Sequence, residues 1–483
     1  MTVLSQIIGR DASADPEIAG VTADSRKVGP GFLFAALPGS KADGRTFIAK
    51  AIEAGAAAIL APDDIDGLTV PVVHAGDLRR AYALAAARFW GRQPETCVAI
   101  TGTNGKTSIA TFCRQLFAIL GHKAGSMGTL GVVVSEAGQP DSVLTPPGLT
   151  TPDAADVAEL MARMADMGVT HVALEASSHG IDQRRLDGVR LAAAGFTNFT
   201  QDHLDYHGTM GAYRAAKLRL FETLLPIGST AVLNADSDQY EAFAASAVAH
   251  GHSVVSTGQA GEGIRMTGRE LTPEGQTLSL THQGAAYTVR LPLAGGFQAD
   301  NALVAAGLCI AAGEAPAAVF AALEQLQGAP GRMQRVGTGP RGGEAYVDYA
   351  HTPDGLETLL NALRPHVRGK LIAVFGAGGD RDAGKRPIMG EIAARLADVA
   401  IVTDDNPRSE DPAAIRAAIL AAAPGAREIG DRREAIRAGA ALLEDGDVLA
   451  VAGKGHEQGQ LVAGVNHPFD DVAETAAALK EAR

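Results

Sequence analysis

The sequence has few cysteines and lacks any apolar run long enough to cross a lipid bilayer. Its three cysteines, Cys97, Cys113 and Cys309, are far apart and lie in apolar surroundings. That pattern is typical of reduced core thiols rather than of a disulfide framework or a zinc site. The first ten residues lack a basic segment followed by a long apolar core, so we expect no secretory signal and a cytoplasmic protein that is not bound to a membrane.

The chain also lacks an excess of basic residues: 42 Lys and Arg face 55 Asp and Glu, for a formal net charge of −13. This balance argues against general nucleic-acid binding, although local basic pockets for anionic small molecules remain open. The 483 residues, 46% apolar and 20% charged, are typical of a globular protein, and the length predicts about three domains. We expect a monomer that binds no nucleic acid.

The most informative segment is Val98–Thr107, in which a short apolar run leads into a glycine-flanked loop ending in Lys106 and Thr107. The next residues have helical apolar spacing, which completes the strand, loop and helix of a phosphate-binding site. There the lysine reaches terminal phosphates and the threonine hydroxyl holds Mg²⁺. Ile100 stands where the full P-loop pattern has a glycine, five places before Gly105, so this is a shorter version. A nucleoside triphosphate site is predicted; the alternative is a chance Gly-Lys-Thr turn.

Residues 1–92 are predicted to form a small α/β domain, because strand and helix patterns alternate along them. Two polar turns, Asp24–Arg26 and Gly39–Arg45, are either donors to an anionic ligand or ordinary surface turns. The amphipathic run Leu78–Trp90 predicts a helix, and Gly91–Pro94 marks a domain boundary after it.

The central segment places a carboxylate beside the phosphate loop. Thr145–Pro152 is predicted to be a rigid polar loop before a helix that begins near Asp153, and Val169–Glu175 to be a buried strand. This strand brings Glu175 to its carboxyl end, where Mg²⁺ needs a hard oxygen ligand. The alternative is a surface glutamate.

The polar stretch Phe196–Gly208 contains two histidines and two aspartates. His203 and His207 are four residues apart and would share a helix face, so a zinc site is conceivable. The stretch has no cysteine and no third nitrogen ligand, whereas magnesium would use mainly oxygen ligands with one imidazole. Structural histidines are the other alternative. Lys217 has the pattern of a helix-surface lysine.

The following segments lead to the C-terminal part of the chain. Phe297–Ala306 predicts a helix with Asp300 and Asn301 as its N-terminal caps. The glycines and proline within Leu323–Met333 mark a second domain boundary.

Three predicted strands after residue 331 each end in a polar loop: Leu371–Phe375, Val399–Thr403 and Val448–Ala452. In a parallel sheet these loops would gather at one edge, where open α/β sheets bind ligands. The first loop lacks the spacing of a dinucleotide fingerprint, which leaves a Rossmann cofactor as the less favoured alternative.

The charged residues of these loops predict a pocket for a zwitterionic amino acid. Arg381 and Arg408 can pair with carboxylates through two hydrogen bonds, and Asp405 and Glu457 can hold an ammonium group. Together with a triphosphate site, such a pocket indicates ATP-driven activation of a carboxylate followed by attack of an amine.

A set of motifs extends over nearly the whole chain: Thr101–Thr107, Glu175–Gly180, Asp202–Gly208, Asn301, Gly331–Met333, Val347–Asp354 and Asp405–Arg408. Together they resemble the motifs of the Mur ligase family. The resemblance implies an α/β protein of three domains. These are a UDP-binding N-terminal domain over 1–92, a central ATP-binding domain with a P-loop-type, mostly parallel sheet over 93–330, and a C-terminal Rossmann-like amino-acid-binding domain over 331–483.

The resemblance also implies an activity: ATP-dependent addition of meso-2,6-diaminopimelate to the D-glutamate γ-carboxylate of UDP-N-acetylmuramoyl-L-alanyl-D-glutamate. The reaction would run through an acyl phosphate in cytoplasmic peptidoglycan precursor synthesis, with ATP and Mg²⁺ as cofactors. Asp405–Arg408 resembles the version that selects diaminopimelate, because L-lysine would leave the Arg408 guanidinium unpaired.

The resemblance further assigns roles to single residues. The implied catalytic residues are Lys106, Glu175, His203 and Lys217. The implied magnesium ligands are Thr107, Glu175, His203 and Lys217, the last carbamylated by CO₂. The implied ATP contacts are Thr101, Gly102, Thr103, Asn104, Gly105, Lys106, Thr107, Asn301, Arg332, Asp348 and His351. The implied contacts with the UDP-linked dipeptide are Ser25, Ser40, Lys41, Ala42, Thr150, Thr151, Ser177, Gln183 and Arg185. The implied diaminopimelate contacts are Arg381, Asp405, Asn406, Pro407, Arg408, Gly453 and Glu457.

Two other functions remain open at this point. A folylpolyglutamate synthetase has similar central and C-terminal domains, although Asp24–Arg26 ahead of the phosphate loop and the Asp405–Arg408 motif weigh against it. An ATP-dependent switch would use nucleotide only to change shape, and it would release phosphate without an amine.

Overall fold

The computed structural model describes residues 2–12, 14–39, 43–272 and 275–482. Ser40, Lys41 and Ala42, which the resemblance assigns to the UDP-linked substrate, lie outside the described residues. The chain divides into two compact units: unit 1 is Met1–Arg265 with Leu303–Ala322, and unit 2 is Met266–Ala302 with Leu323–Arg483. Within the described ranges, no helix combines the length and apolar character needed to span a bilayer.

The first part of unit 1 is a small α/β layer, as the alternating pattern predicts. Its sheet contains the parallel strands Gly20–Thr22, Phe32–Ala35, Ala58–Ala61 and Val72–His74 in that order. The helices of this part are Leu4–Ile8, Ile48–Glu53 and Leu78–Trp90. Asp77 caps the last helix by accepting a hydrogen bond from the N–H of Arg80, and buried alanines on that helix pack into the same core as the strands.

The second part of unit 1 is a larger sheet. The first eight of the eleven strands that it contains within the described residues, in spatial order, are Ser142–Thr145, Gly131–Ser135, Ala124–Gly128, His171–Glu175, Thr96–Thr101, Ala193–Phe196, Thr230–Asn234 and Ser253–Gly258, and Ile264–Thr272 comes next. Pairing is antiparallel at the first two strands and parallel from Ala124–Gly128 onward. The helices of this part include Lys106–Ile119, Ala154–Asp166, Ser178–Asp182, Leu204–His207, Met210–Arg219, Tyr240–Ala249 and Pro316–Ala322. The parallel strands are apolar over most of their length because both faces of such a sheet are covered.

The phosphate loop connects the strand Thr96–Thr101 to the helix Lys106–Ile119, as the pattern predicts. Gly102 and Gly105 have φ angles of 148° and 88°, which residues with side chains rarely adopt. A Cβ atom at Gly102 would also overlap the hydroxyl of Thr197. The sequence therefore needs both glycines for the loop to turn at this point.

Unit 2 contains the antiparallel strands Gly275–His282 and Ala285–Leu291 and a main sheet. The strands of that sheet, in order, are Gln334–Thr338, Glu344–Asp348, Val448–Ala452, Leu371–Phe375, Val399–Val402 and Arg427–Glu428, and only the first pair is antiparallel. Its helices include Pro353–Leu363, Lys385–Leu396, Pro412–Leu420, Arg432–Ala441 and Asp471–Glu481. The predicted strands are confirmed, and because they are parallel their loops share one edge.

The helix predicted over Phe297–Ala306 is confirmed, but its predicted caps are wrong. This helix is Gly296–Ala311, so Asp300 and Asn301 lie inside it rather than at its cap. The chain turns at Gly295, whose φ is 86°, and the carbonyl of Gly295 accepts from the N–H of Gln298. A backbone turn, rather than a polar side chain, begins the helix.

Candidate active site

The phosphate loop holds its lysine against its own backbone. The Lys106 ammonium group donates to the carbonyl oxygens of Gly102 and Thr103, both at 2.8 Å. The N–H of Asn104, near the tip of the loop, donates to the side-chain oxygen of Asn198 at 2.9 Å. A cation and the N-terminus of a long helix thus meet at one point, which is the arrangement that binds anions.

Glu175 ends the strand His171–Glu175 and is only 3% exposed, so the alternative of a surface glutamate is wrong. Its carboxylate accepts from the hydroxyl of Thr107 at 3.0 Å and from the N–H of Thr129 at 2.9 Å. Sequence reasoning missed Thr129. The one sequence feature next to Thr129 is Gly128, which ends a neighbouring strand. The Glu175 carboxylate lies so close to Gly128 that a Cβ atom there would overlap it.

Lys217 is buried, not on the helix surface that its pattern favoured: 1% of the residue is exposed. Its ammonium group donates to the carbonyl of Gly102 at 2.7 Å and lies 4.4 Å from the centre of the Tyr213 ring. Burial, with a further contribution from the charge of Lys106, holds the pKa of Lys217 well below its ordinary value. A buried amine of this kind favours the neutral, nucleophilic form.

His203 lies near both lysines. It precedes the short helix Leu204–His207 with a left-handed φ of 52°. Burial lowers the pKa of His203, and the charges of Lys106 and Lys217 lower it further, against the opposing effect of Asp202. The neutral ring, which has a lone pair, is therefore favoured.

Polar side chains connect Glu175 to the two threonines predicted to contact substrate. The hydroxyl of Thr150 is 3.1 Å from that of Thr129, which also donates to the Glu175 carboxylate at 3.3 Å. The hydroxyl of Thr151 donates to the backbone carbonyl of Glu175 at 2.8 Å and lies 3.0 Å from the hydroxyl of Ser177. The threonine pair is thus held directly at the carboxyl end of this strand.

Arg185 and Gln183 extend the same network toward the surface. The Arg185 guanidinium donates to the carbonyl of Thr151 at 2.6 Å and to the side-chain oxygen of Gln183 at 2.7 Å. The amide of Gln183 in turn donates to the hydroxyl of Tyr206 at 3.1 Å. These contacts orient Gln183 and Tyr206, which both line a large cleft.

The cleft has a volume of 1170 Å³ and lies within unit 1. Ser25 and Gln183 both line it, and Tyr82 donates to Asp153 in its wall at 2.6 Å. The lining includes the cations Arg26, Lys27, Lys50 and Arg79 and the aromatic residues Phe32, Phe47, Phe89, Trp90 and Tyr206. Cations beside aromatic rings suit a phosphorylated ligand with a planar base.

In unit 2, Asp348, Arg332 and Tyr349 lie close together. The Asp348 carboxylate accepts from the N–H groups of Met333 at 2.6 Å and Ala350 at 2.8 Å. Burial raises the pKa of Asp348 against the lowering effect of Arg332. The Arg332 guanidinium lies 4.5 Å from the centre of the Tyr349 ring, which fixes its direction by a cation–π contact.

Asn301 and His351, the other residues of unit 2 predicted to contact ATP, lie near Arg332. Asn301 donates to the side-chain oxygen of Gln298 at 3.1 Å, and Gln298 donates to the carbonyl of Arg332 at 3.4 Å. The carbonyl of His351 accepts from the Lys385 ammonium group at 2.8 Å. Burial lowers the pKa of His351, and the nearby charge of Arg332 lowers it further, while the charge of His351 acts in turn on Asp348. The structure therefore brings together the four unit 2 residues that the sequence resemblance groups.

Hydrogen bonds from Lys454, a residue that sequence reasoning missed, connect two loops at the edge of the unit 2 sheet. Lys454 is fully buried, and its ammonium group donates to Asn406 at 2.8 Å and Glu457 at 3.1 Å. The amide of Asn406 also donates to Glu457 at 2.8 Å. The only feature of the sequence that could have indicated this role is the position of Lys454 between two glycines, Gly453 and Gly455. Asn406 and Glu457 are thus fixed relative to each other.

Arg408 is held by backbone contacts from both sides. Its guanidinium donates to the carbonyl of Gly379 at 2.7 Å, and its N–H donates to the carbonyl of Leu461 at 2.9 Å. Its φ of 54° is left-handed, which is uncommon for a residue with a side chain. Pro407 is buried next to it, whereas Arg381 is exposed.

Asp405 and Gly453 lie in contact at the base of the same loops. A Cβ atom at Gly453, where φ is 125°, would overlap the Oδ2 atom of Asp405. Within the described ranges that buried Oδ2 atom makes no hydrogen bond, which is a position suited to a ligand ammonium group. Arg432, which sequence reasoning also missed, is buried nearby and pairs with Asp471 at 2.7 Å.

A phosphate loop and a buried carboxylate at the end of a parallel sheet define a nucleotide-binding α/β enzyme, here with a second α/β unit whose charged loops suit an amino acid. Three family models match the chain: the Mur ligase family, catalytic domain, over 17–89; the Mur ligase middle domain over 100–309; and the Mur ligase, glutamate ligase domain, over 331–455. The chain belongs to the Mur ligase family.

Individual relatives resemble the whole chain. A protein of Caulobacter vibrioides, named UDP-N-acetylmuramoyl-L-alanyl-D-glutamate--2,6-diaminopimelate ligase, is 72% identical over 99% of this chain and 98% of its own length. A protein of Bradyrhizobium diazoefficiens with the same name is 54% identical over 99% of both chains. A solved structure that carries this name has 34% identity and a TM-score of 0.75, covering 100% of this chain and 99% of the other.

Proposed function

We propose that this protein is an ATP-dependent amide ligase. It joins meso-2,6-diaminopimelate to the D-glutamate γ-carboxylate of UDP-N-acetylmuramoyl-L-alanyl-D-glutamate in cytoplasmic peptidoglycan precursor synthesis, and so contributes to cell shape and division. The observation that carries the proposal is the 72% identity, over almost the full length of both chains, to a relative named for this reaction. The cleft, the phosphate loop and the charged loops of unit 2 supply the groups that the reaction needs.

The chemistry starts from a carboxylate, which is a poor electrophile. The γ-carboxylate attacks the terminal phosphorus of ATP, ADP leaves, and an acyl phosphate forms. The neutral amine of diaminopimelate then attacks the acyl carbon, loses a proton, and the tetrahedral intermediate expels phosphate. Lys106, held at the helix N-terminus, stabilises the negative charge on the phosphoryl oxygens during the first step.

The donor set beside the phosphate loop fits Mg²⁺. Thr107 and Glu175 offer hard oxygen atoms that already contact each other at 3.0 Å, and His203 adds one imidazole. Bound there, Mg²⁺ would supply positive charge to the phosphates. Glu175 contributes the anionic oxygen, and Thr129 keeps that carboxylate in one orientation.

Lys217 joins this donor set only after carbamylation. Its neutral amine adds to CO₂ with formation of an N–C bond and loss of a proton, which replaces a cation by an anionic oxygen ligand. Its burial and its lowered pKa both support this reaction. Mass spectrometry of the intact protein in bicarbonate should detect the added CO₂, and Lys217→Arg should not carry it.

The substrate contacts divide between the cleft of unit 1 and the loops of unit 2. Ser25, Thr150, Thr151, Ser177, Gln183 and Arg185 are proposed for the UDP-linked dipeptide. Ser40, Lys41 and Ala42 remain predictions outside the described residues. Asp405 would pair with the distal ammonium group and Arg408 with the distal carboxylate of diaminopimelate, with Arg381, Asn406, Pro407, Gly453 and Glu457 around them.

Further proposals concern ATP, the domains and the assembly. The proposed ATP contacts are the phosphate loop over Thr101–Thr107 in unit 1 and Asn301, Arg332, Asp348 and His351 in unit 2. The proposed domains are 1–92, 93–330 and 331–483, in a monomer that binds neither nucleic acid nor a membrane.

The test is phosphate release from ATP and Mg²⁺ with the UDP-linked dipeptide, comparing meso-diaminopimelate, L-lysine and no amino acid. Release with a tripeptide product for diaminopimelate alone is the expected result. Activity with L-lysine would contradict the role of Arg408 but not the ligase chemistry. Release that needs no amine would indicate the ATP-dependent switch, and activity with a folate substrate would indicate the folylpolyglutamate synthetase alternative.

A further inference from the structure

We propose that His122, His171 and Glu314 form a binding site for a transition metal ion of the Zn²⁺ class, separate from the active site. The Nε2 atoms of both histidines point at the same carboxylate oxygen of Glu314, at 2.7 Å for His122 and 3.9 Å for His171. One ligand atom from each residue lies within 4.8 Å of the others. Ligand atoms bound to one Zn²⁺ ion at about 2.0–2.2 Å are separated by about 3.3–3.6 Å in a tetrahedron, so small side-chain rotations would bring these three atoms to coordination distance.

The cluster joins three segments of unit 1 that are far apart in the sequence. His122 follows the helix Lys106–Ile119, His171 begins the strand His171–Glu175, and Glu314 lies between the helices Gly296–Ala311 and Pro316–Ala322. Because His171 and Glu175 are opposite ends of one strand, the cluster lies about 13 Å from the catalytic carboxylate at about 3.3 Å per residue. The proposed ion therefore takes no part in phosphate binding.

The ring of His171 is oriented as a metal ligand requires. Its Nδ1 atom lies 2.9 Å from the hydroxyl of Thr170, and that hydroxyl donates to the carbonyl of Lys123 at 3.4 Å. Because the Thr170 hydroxyl donates its proton to that carbonyl, it accepts a hydrogen bond from Nδ1–H of His171. The lone pair of the neutral ring is then on Nε2, which is the atom that faces Glu314. Such a second hydrogen bond is the usual support of a histidine bound to a metal.

The imidazole rings of His122 and His171 pack against each other. Their centroids are 3.8 Å apart, and the ring of Phe117 lies 4.7 Å from His171 and 6.3 Å from His122. The side chain of Glu314 is 17% exposed and that of His122 31%, so an ion can enter from solvent. Little side-chain freedom remains to be lost on binding, which favours affinity.

The ligand atoms of His122, His171 and Glu314 favour some metal ions over others. Two imidazoles and one carboxylate suit Zn²⁺, Co²⁺ or Ni²⁺, whereas Mg²⁺ prefers oxygen ligands. Three protein ligands also leave a fourth tetrahedral position for water. An ion here would tie the end of the helix that starts at the phosphate loop to the sheet and to the segment of Glu314, and would stabilise unit 1.

The experiment is a titration of the full-length protein with Zn²⁺ alone, in millimolar Mg²⁺ so that magnesium sites are occupied. Isothermal calorimetry should show a Zn²⁺ site in the wild type that weakens at least about tenfold in His122→Ala and in Glu314→Gln. Zn²⁺ should raise the melting temperature of the wild type but not of these variants. Co²⁺ in place of Zn²⁺ should give the visible absorption of a tetrahedral site.

Two matched variants separate this site from other histidines. His250→Ala removes an exposed histidine elsewhere in unit 1, and His203→Ala removes the histidine of the active site; both should retain the Zn²⁺ site. Equal affinity and stoichiometry in the wild type, His122→Ala and Glu314→Gln would overturn the proposal and leave a simple His122–Glu314 ion pair. Loss of the site in His203→Ala alone would assign the ion to the active site and would also overturn it.

Discussion

At the scale of single residues, Glu175 offers a direct test of the carboxylate beside the phosphate loop. Glu175→Gln keeps the shape of the side chain but removes the negative charge and one of the two oxygen atoms that accept from Thr107 and Thr129. We expect kcat for amine-dependent phosphate release to fall about 100-fold or more, because the charge acts on the transferring phosphoryl group and its metal. The melting temperature should change by about 4 °C at most.

The matched control is Glu136→Gln, which neutralises a half-exposed carboxylate paired with Lys123 on the surface. It should leave kcat unchanged, since exposed ion pairs contribute little. A similar kcat in Glu175→Gln and the wild type would remove Glu175 from the proposed metal ligands.

His456 predicts a pH dependence of stability. Burial, with a further effect from Arg332, lowers its pKa from 6.5 to about 4 against the opposing charge of Glu457. Below pH 6.5 the unfolded chain therefore binds a proton that the folded chain does not, so stability falls as pH decreases from 6.5 toward 4 and then levels off. This residue accounts for a loss of about 2 kcal/mol between pH 7 and 5.

The measurement is urea unfolding at pH 7 and pH 5 for the wild type and His456→Gln. The variant should lose less stability on acidification, by about 2 kcal/mol. Equal losses in the two proteins would mean that His456 titrates normally in the folded state.

At the scale of elements, the loop that follows the strand Leu371–Phe375 determines the direction of Arg408. A Cβ atom at Gly378 would lie 2.7 Å from the Arg408 guanidinium, and Gly378 does not need a left-handed φ. Gly378→Ala should therefore fold normally but displace the flexible end of Arg408. We expect KM for diaminopimelate to rise about tenfold, a loss of about 1.4 kcal/mol in binding, with KM for ATP unchanged.

The control for the loop is Gly76→Ala, which places a Cβ atom in open space at an ordinary φ. Steady-state kinetics with each substrate varied should show no change in this variant. Unaltered KM for diaminopimelate in Gly378→Ala would contradict the role of Arg408 in recognition.

Helices and strands could be predicted from the sequence where apolar spacing and glycine positions determine them. The strand, loop and helix around Lys106 follow from apolar spacing and glycine, and so do the parallel strand that ends in Glu175 and the parallel strand that precedes the loop of Asp405. The burial of Lys217 and Lys454 was not predictable, because tertiary contacts from distant loops enclose each amine. The caps of the helix Gly296–Ala311 were misassigned because a turn at Gly295, not a polar side chain, begins it.

The same distinction applies to the predicted site. Residues within one motif could be grouped from the sequence, but the contact between Thr107 and Glu175 joins positions 68 residues apart. Thr129 and Arg432 carry no motif of their own, and only their hydrogen bonds to Glu175 and Asp471 reveal them. Such pairings depend on strand order, which apolar periodicity does not specify.

At the scale of the whole molecule, the two units are expected to bind different substrates. The cleft and the network around Thr151 lie in unit 1, whereas the loops that carry Arg408 and Glu457 lie in unit 2. A ligand protects the amides of the segment it binds, because exchange then requires its release. Hydrogen exchange measured by mass spectrometry can therefore assign each substrate to a unit.

With the UDP-linked dipeptide alone, we expect protection at 20–37, 78–90 and 150–185. With meso-diaminopimelate alone, we expect protection at 376–382, 404–410 and 453–461, and Arg408→Ala should abolish it while leaving the first pattern intact. At a ligand concentration 100 times Kd the stabilisation is about 2.7 kcal/mol, which slows exchange in the bound segment about 100-fold. Diaminopimelate that protected only unit 1 would contradict the assignment, because the charges that match its distal ammonium and carboxylate groups, on Asp405 and Arg408, both belong to unit 2.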